Sequence, residues 1–289
     1  MVALLSKHHD DLPNFACRRL VAPAEKVDRA MLFGQLRALF ATPADAALFY
    51  FAGHGAVSDL GGYLVTPEVQ RYEDGLAMRD LVALANQAHI AEVLIILDCC
   101  HSGAIGTMPE LRDGQILLRE GVSMLTASRP EESAVESREG GLFTSLICEA
   151  LSGGGADILG NVTVASLYAY VDQTLDAWDQ RPMLKSYLSR LAPIRRCAPT
   201  VSPAVLRLLP SYFATADSRL DLDPSYEPDA LPHDAAHETI FAHLQQLRAA
   251  GLLYPIGEDH LYFAAIHRTG CKLTPLGQFY WRLGRQGNL

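Results

Sequence analysis

The sequence has little with which to cross a membrane or follow a nucleic acid backbone. No run in its 289 residues approaches the roughly 18 to 20 apolar residues that a span needs. The start, MVALLSKHHDDLPNF, lacks the apolar core and small-residue cleavage site of a secretory signal, so a soluble, cytoplasmic protein with no membrane partner is expected. A basic surplus is also missing: the formal net charge is -9, which argues against nucleic acid as a partner, favours solubility and would steer in a cationic one. Cysteines are few. The six of them (Cys17, Cys99, Cys100, Cys148, Cys197, Cys271) have no framework spacing, and most sit in apolar runs, where a reduced thiol acts as a small hydrophobe. A reducing compartment fits, and a disulfide scaffold does not. No internal repeat or long low-complexity stretch is present.

What the chain does have is apolar mass, 49% of its residues, enough for a large domain and a smaller one. Met31, Leu32, Leu36, Leu39 and Phe40 recur at helical spacing between Val27 and Phe40, and Ala46 to Phe51 is a short apolar run. The order then repeats, with helical period over Leu76 to Ala91 followed by the run Val93 to Leu97. Strands without polar alternation, each preceded by a helix, predict an α/β fold with a mainly parallel sheet and helices on both faces. A third strand is predicted at Val122 to Ala127, with covering helices over Leu142 to Leu151 and Val164 to Trp178.

After Pro193 the character changes. Residues 1–194 are expected to form the first domain, and 195–232, rich in Pro, Asp and Ser, a linker. In 233–289, Ile240, Leu244, Leu247 and Leu252 predict an amphipathic helix, Leu261 to Ala265 a strand, and Thr274-Pro275 the start of a last helix. Such an order suggests a small winged-helix-like module that reads DNA or docks proteins. Arg248, Arg268, Lys272, Arg282 and Arg285 barely outnumber the acids there, which favours docking of an activating protein partner, or autoregulation, over DNA.

Two motifs follow predicted parallel strands, where open α/β sheets place their ligand crevices. The first is Phe49-Tyr50-Phe51-Ala52-Gly53-His54-Gly55, and the second is Leu97-Asp98-Cys99-Cys100-His101-Ser102-Gly103. A thiol nucleophile needs a base within hydrogen-bond reach and backbone donors aimed at the oxyanion, and two adjacent strand ends can supply them. At period two Cys99 and Cys100 face opposite sides, which marks Cys99 as a buried spectator. The same alternation turns Asp98 to the side of Cys100. A zinc site from His54, Cys99, Cys100 and His101 is disfavoured by that opposition and by the lack of a CxxC pair, so no metal is expected. His8-His9-Asp10-Asp11 reads as a solvated helix end and turn.

An apolar strand ending in Ala52-Gly53-His54-Gly55 and another ending in Asp98-Cys99-Cys100-His101-Ser102-Gly103 resemble the caspase superfamily, above all metacaspases and their bacterial relatives, with the histidine roughly fifty residues before the cysteine. The resemblance runs from the amino terminus to about Pro193. It implies a caspase-like fold and a cysteine endopeptidase with His54 as general base and Cys100 as nucleophile. The backbone N–H groups of Gly55 and Cys100 would form the oxyanion hole, and no cofactor is implied, although some metacaspases need calcium. It also implies that Asp98 lines the specificity pocket and selects Arg or Lys before the cut, as charge complementarity suggests unaided. Substrates would be proteins or peptides with a basic residue at that position. Relatives of this kind are regulated effectors or precursors in stress, cell-death or antiviral pathways, many of them matured by cleavage after the nucleophile, which makes Arg112 and Arg119 candidate self-cleavage sites.

The sequence departs from that pattern at its start, where Met1 to Lys7 reads as the end of a helix and the first central strand of the family has no counterpart. Such a gap predicts an unpaired sheet edge. It also opens the reading of a catalytically weak caspase-like scaffold for protein interaction, and the tail opens that of a DNA-targeted regulator.

Overall fold

The computed structural model describes residues 1–59, 61–71, 74–99, 117–127, 136–137, 140–175 and 182–289. Within them the chain divides into two units, one of 1–156 with 161–197 and the other of 157–160 with 198–289. Among the described residues no helix is long and apolar enough to cross a membrane.

The first unit opens with a short helix α1 (Val2–Ser6), followed after an extended stretch by α2 (Arg29–Ala41). Asp28 caps α2, its Oδ1 accepting from the Met31 amide at 2.8 Å, and Thr42 ends it ahead of Pro43, which disfavours a helical residue before it. Strand β1 (Ala46–Ala52) leads into a small antiparallel sheet of β2 (Gly55–Ser58), β3 (Gly61–Leu64) and β4 (Leu76–Ala77). Helix α3 (Met78–Gln87), β5 (Glu92–Asp98) and β6 (Val122–Thr126) come next, then the strand pair β7 (Glu136–Ser137) and β8 (Gly140–Gly141). Helix α4 (Leu142–Glu149) runs on into a π-helical turn over Ala150–Gly154. The unit closes with β9 (Asn161–Val162), α5 (Val164–Thr174), β10 (Met183–Tyr187) and β11 (Arg195–Arg196).

The main sheet has the order β1-β5-β6-β10, with the first three strands parallel and β10 antiparallel to β6. Its alternation explains the unbroken apolar runs. Val93, Ile95 and Leu97 of β5 face a core shared with Leu32 and Leu36 of α2 and Leu81 and Ala85 of α3. Leu94 and Ile96 face the opposite core with Leu146 and Ile147 of α4 and Leu167 and Val171 of α5. Each such fully buried side chain contributes about 1.5 to 3 kcal/mol by leaving water. Strand β1 stands at the edge: it pairs with β5 on one side only among the described strands, and Phe49, Tyr50 and Phe51 are half-buried.

The second unit contains α6 (Pro203–Arg207), α7 (Leu209–Tyr212), β12 (Arg219–Leu220), α8 (Ala235–Ala249), β13 (Leu253–Pro255), α9 (Leu261–Ile266), β14 (Cys271–Leu273) and α10 (Pro275–Gln286). Its antiparallel sheet has the order β12-β14-β13. Residues 198–232, expected as linker, are instead part of this fold. Val205, Leu206, Leu209, Phe213, Leu222 and Tyr226 join Phe241, Leu244 and Leu247 of α8 in one core. Several of the prolines and polar residues in this stretch are helix starts: Ser202 caps α6 with Pro203 in its first turn, and Asp223 with Pro224 opens a 3-10 turn. The strand expected over Leu261 to Ala265 is the helix α9. Leu261, Ala264 and Ala265 are buried while Tyr262 and Phe263 are exposed, a helical period that a five-residue apolar run does not reveal. Gly277 is required where α10 crosses the end of α8's turn, since a Cβ there would lie 1.9 Å from the Leu252 carbonyl oxygen. Trp281 ties α10 down by donating from Nε1 to the Phe213 carbonyl at 2.8 Å.

A linker would be nicked first by trypsin at Arg207 and Arg219. Arg207 is held by two hydrogen bonds to the Leu289 carbonyl oxygen, and Arg219 lies in β12, so limited digestion read by mass spectrometry is expected to leave both bonds intact in folded protein.

Candidate active site

The site is built on the parallel pair β1 and β5. Their register sets Tyr50 beside Ile96 and Ala52 beside Asp98, so both strands end together at the carboxyl edge of the sheet. The Gly53 amide extends the ladder by donating to the Asp98 carbonyl at 3.2 Å, and the His54 carbonyl accepts from the Val65 amide at 2.9 Å. His54 is therefore fixed through its backbone on both sides, while its side chain is exposed. Gly55, the first residue of β2, pairs with Leu64. Gly53 passes close to the Phe51 ring, at 3.0 Å from where its Cβ would be.

The facing motif divides as the strand alternation requires. Cys99 is buried in the core of α2 and α3 together with Ile95 and Leu97. Asp98 turns the other way, toward α4. Cys100 lies outside the described residues, as do His101, Ser102, Gly103 and Arg112. In sequence Cys100 stands two residues beyond Asp98, as His54 stands two beyond Ala52.

Asp98 is half-buried, and its carboxylate meets the start of α4. The Thr144 hydroxyl donates a short hydrogen bond to Oδ2, and the Thr144 amide also donates to the carboxylate. Thr144 Oγ1 lies 2.5 Å from the Tyr50 hydroxyl. Gly141 gives the carboxylate room, since a Cβ there would fall 2.6 Å from Oδ2. Burial pushes the Asp98 carboxyl above the ordinary aspartate range, and the two Thr144 hydrogen bonds pull back against it. Burial likewise raises the Tyr50 phenol. Among the described residues no lysine, arginine or histidine forms an ion pair with Asp98. Sequence reasoning missed Tyr50, Gly141 and Thr144, because all three lie more than forty residues from Asp98 and no local pattern ties them to it.

Arg119 is already occupied. Its guanidinium donates to the carbonyls of Ala85, Glu120 and Ile90, at 3.3, 2.6 and 2.7 Å, and its amide to Asn86 Oδ1 at 3.0 Å. For cleavage after Arg119 the segment would have to detach from α3. His8 to Asp11 form a turn in which Lys7 pairs with Asp11 at 3.3 Å and the Leu12 amide donates to Asp10. Among the described residues no three His, Cys, Asp or Glu side chains converge as a metal site would require.

A family model described as the caspase domain, peptidase C14, matches residues 21–192. The chain belongs to the caspase-domain family of cysteine peptidases. No curated protein matches it. Among solved structures this caspase domain is similar to caspase-1 from Spodoptera frugiperda, at 14% identity over 60% of this chain and 73% of that one, with a TM-score of 0.42. It is also similar to a protein from Geobacter sulfurreducens, at 17% identity over 59% of this chain and 79% of that one, with a TM-score of 0.43.

The raised Asp98 has a signed consequence for the stability of the caspase domain. Between the unfolded and folded pKa values the native state binds more protons than the unfolded one, so stability falls as pH rises through that window. Removing the charge while keeping the acceptor, Asp98→Asn, is expected to hold or raise the urea midpoint at pH 7. A lowered midpoint would show that burial is not the dominant influence on this carboxylate.

Proposed function

We propose that this caspase domain hydrolyses peptide bonds after Arg or Lys, with Cys100 as nucleophile and His54 as base. The observation that carries the reading is the shared carboxyl edge of β1 and β5, with the His54 backbone anchored beside the strand that leads to Cys100 and a half-buried carboxylate, Asp98, next to it. His54 takes the thiol proton as the Cys100 sulfur attacks the scissile carbonyl, and the backbone N–H groups of Gly55 and Cys100 receive the oxyanion. Collapse of the tetrahedral intermediate breaks the C–N bond, and His54 returns the proton to the departing amine. Water, deprotonated by His54, then attacks the thioester and releases the acid and the thiol. No cofactor enters this scheme.

Asp98 supplies the specificity. A carboxylate that has lost part of its hydration and has no cationic partner among the described residues is complementary to a guanidinium or ammonium, and it repels a substrate aspartate. For self-processing, Arg112 is favoured over Arg119, whose guanidinium is committed to three backbone carbonyls. Residues 233–289 of the second unit are read as a winged-helix-like docking module for an activating protein rather than for DNA. The buried thiols of Cys99, Cys197 and Cys271 suit a cytoplasmic location, and a conditional effector in stress, cell death or defence is the role that fits a peptidase joined to such a module.

Fluorogenic peptides with Arg, Lys or Asp before the cut test the reading. Arg and Lys substrates are expected to be cleaved and Asp substrates not, with Cys100→Ala and His54→Ala each losing at least about 10³-fold in kcat/KM. Preference for Asp would refute the role of Asp98. In purified protein, fragments that appear equally in wild type and Cys100→Ala would refute self-processing.

A further inference from the structure

The polar groups behind Asp98 form a chain that runs away from the strand ends and into the α4 side of the sheet. Thr144 has a single hydroxyl proton, and it is given to Asp98 Oδ2. The 2.5 Å contact between Thr144 Oγ1 and the Tyr50 hydroxyl must then be made with the Tyr50 proton, so donation runs from Tyr50 to Thr144 to Asp98. The three residues come from three elements, β1, β5 and the first turn of α4, and the short bonds fix their mutual positions. Gly141, at the end of β8, closes the other side of the carboxylate without a side chain.

We infer that Tyr50 and Thr144 are positioning residues that hold Asp98 oriented and ionised, so that its remaining lone pairs face a cationic substrate side chain. This deepens the reading of Asp98 as the specificity carboxylate and rests on it. A lone half-buried carboxylate can turn away or take up a proton. Here two donors from Thr144 oppose both outcomes, and the Tyr50 proton leaves the Thr144 hydroxyl no other direction in which to donate.

Among the described residues, the groups that bear on Asp98 are few. From β1 there is the Tyr50 phenol and from α4 the Thr144 hydroxyl and amide, while the Cys148 thiol one turn further along α4 acts on Tyr50. The segment Val122–Thr126 of β6 has no ionisable side chain. Loss of the Thr144 hydroxyl therefore leaves burial less opposed and moves the Asp98 carboxyl further up. Binding of a basic side chain is lost as pH falls through that value, so the acid limb of kcat/KM on an Arg substrate moves to higher pH.

The test is steady-state kinetics between about pH 5 and 8 on matched peptides with Arg or norleucine before the cut, for wild type, Thr144→Val, Thr144→Ser and Tyr50→Phe. Thr144→Val is expected to raise KM for the Arg peptide about tenfold with kcat little changed and its acid limb moved up, while KM for norleucine stays put. Thr144→Ser should restore wild-type behaviour, and Tyr50→Phe should move the limb the same way by less. Equal losses on both peptides, or an unmoved acid limb, would overturn the inference. If Thr144→Val does not fold, the Tyr50→Phe limb decides, and an unmoved one overturns the relay. A wild type with no preference for Arg or Lys would instead overturn the specificity role of Asp98 itself, a failure visible before any variant is made.

Discussion

The parallel pairing of β1 with β5 is the constraint on which the rest depends. A parallel strand pair brings two segments that are distant in sequence to the same end of a sheet, and the register Ala52 beside Asp98 brings the Gly53-His54-Gly55 turn to the end of the strand that precedes Cys100. Hydrogen bonds beyond the last paired residues then fix the turn, from the Gly53 amide to the Asp98 carbonyl, which continues the ladder, and from the Val65 amide to the His54 carbonyl. A slip of one residue would reverse every side chain of β5 between its two cores, sending Ile95 and Leu97 to the α4 face and Asp98 into the apolar packing of α2 and α3. The hydrophobic cores thus hold the chemistry in register, and that stability argument is also an argument about function.

At Asp98 stability and the proposed function pull apart. Its position on the α4 face costs hydration, and the cost is only partly offset by Thr144. On the proposed reading, a carboxylate held at that cost is the kind of local conflict that folded chains tolerate at sites of recognition. On the reading proposed above, the Tyr50 and Thr144 chain gives one oxygen fixed donors and leaves the rest of the group for a ligand.

Much of this was legible in the sequence for definite reasons. Val93 to Leu97 showed no alternation because its two faces enter two cores, and that pattern predicts a covered parallel sheet. Cys99 could be assigned to the interior from parity alone. What could not be read were contacts across long sequence separations: Thr144 and Gly141 reach Asp98 from more than forty residues away, and Arg119 clamps onto α3 by backbone carbonyls that have no sequence signature. The region 195–232 misled because Pro, Asp and Ser both build linkers and start helices, and only the buried Val205, Leu206 and Phe213 distinguish the two uses. Leu261 to Ala265 misled because five apolar residues fit either period.

The most direct measurement is covalent labelling of the folded protein with an arginyl chloromethylketone, with the modified residue mapped by peptide mass spectrometry and the reaction repeated in His54→Ala and Asp98→Asn. Alkylation confined to Cys100, slowed strongly by either substitution, is the expected result. Absence of labelling in a folded sample, or labelling at Cys100 that is indifferent to both substitutions, would contradict a His54-activated nucleophile beside a carboxylate that selects basic residues.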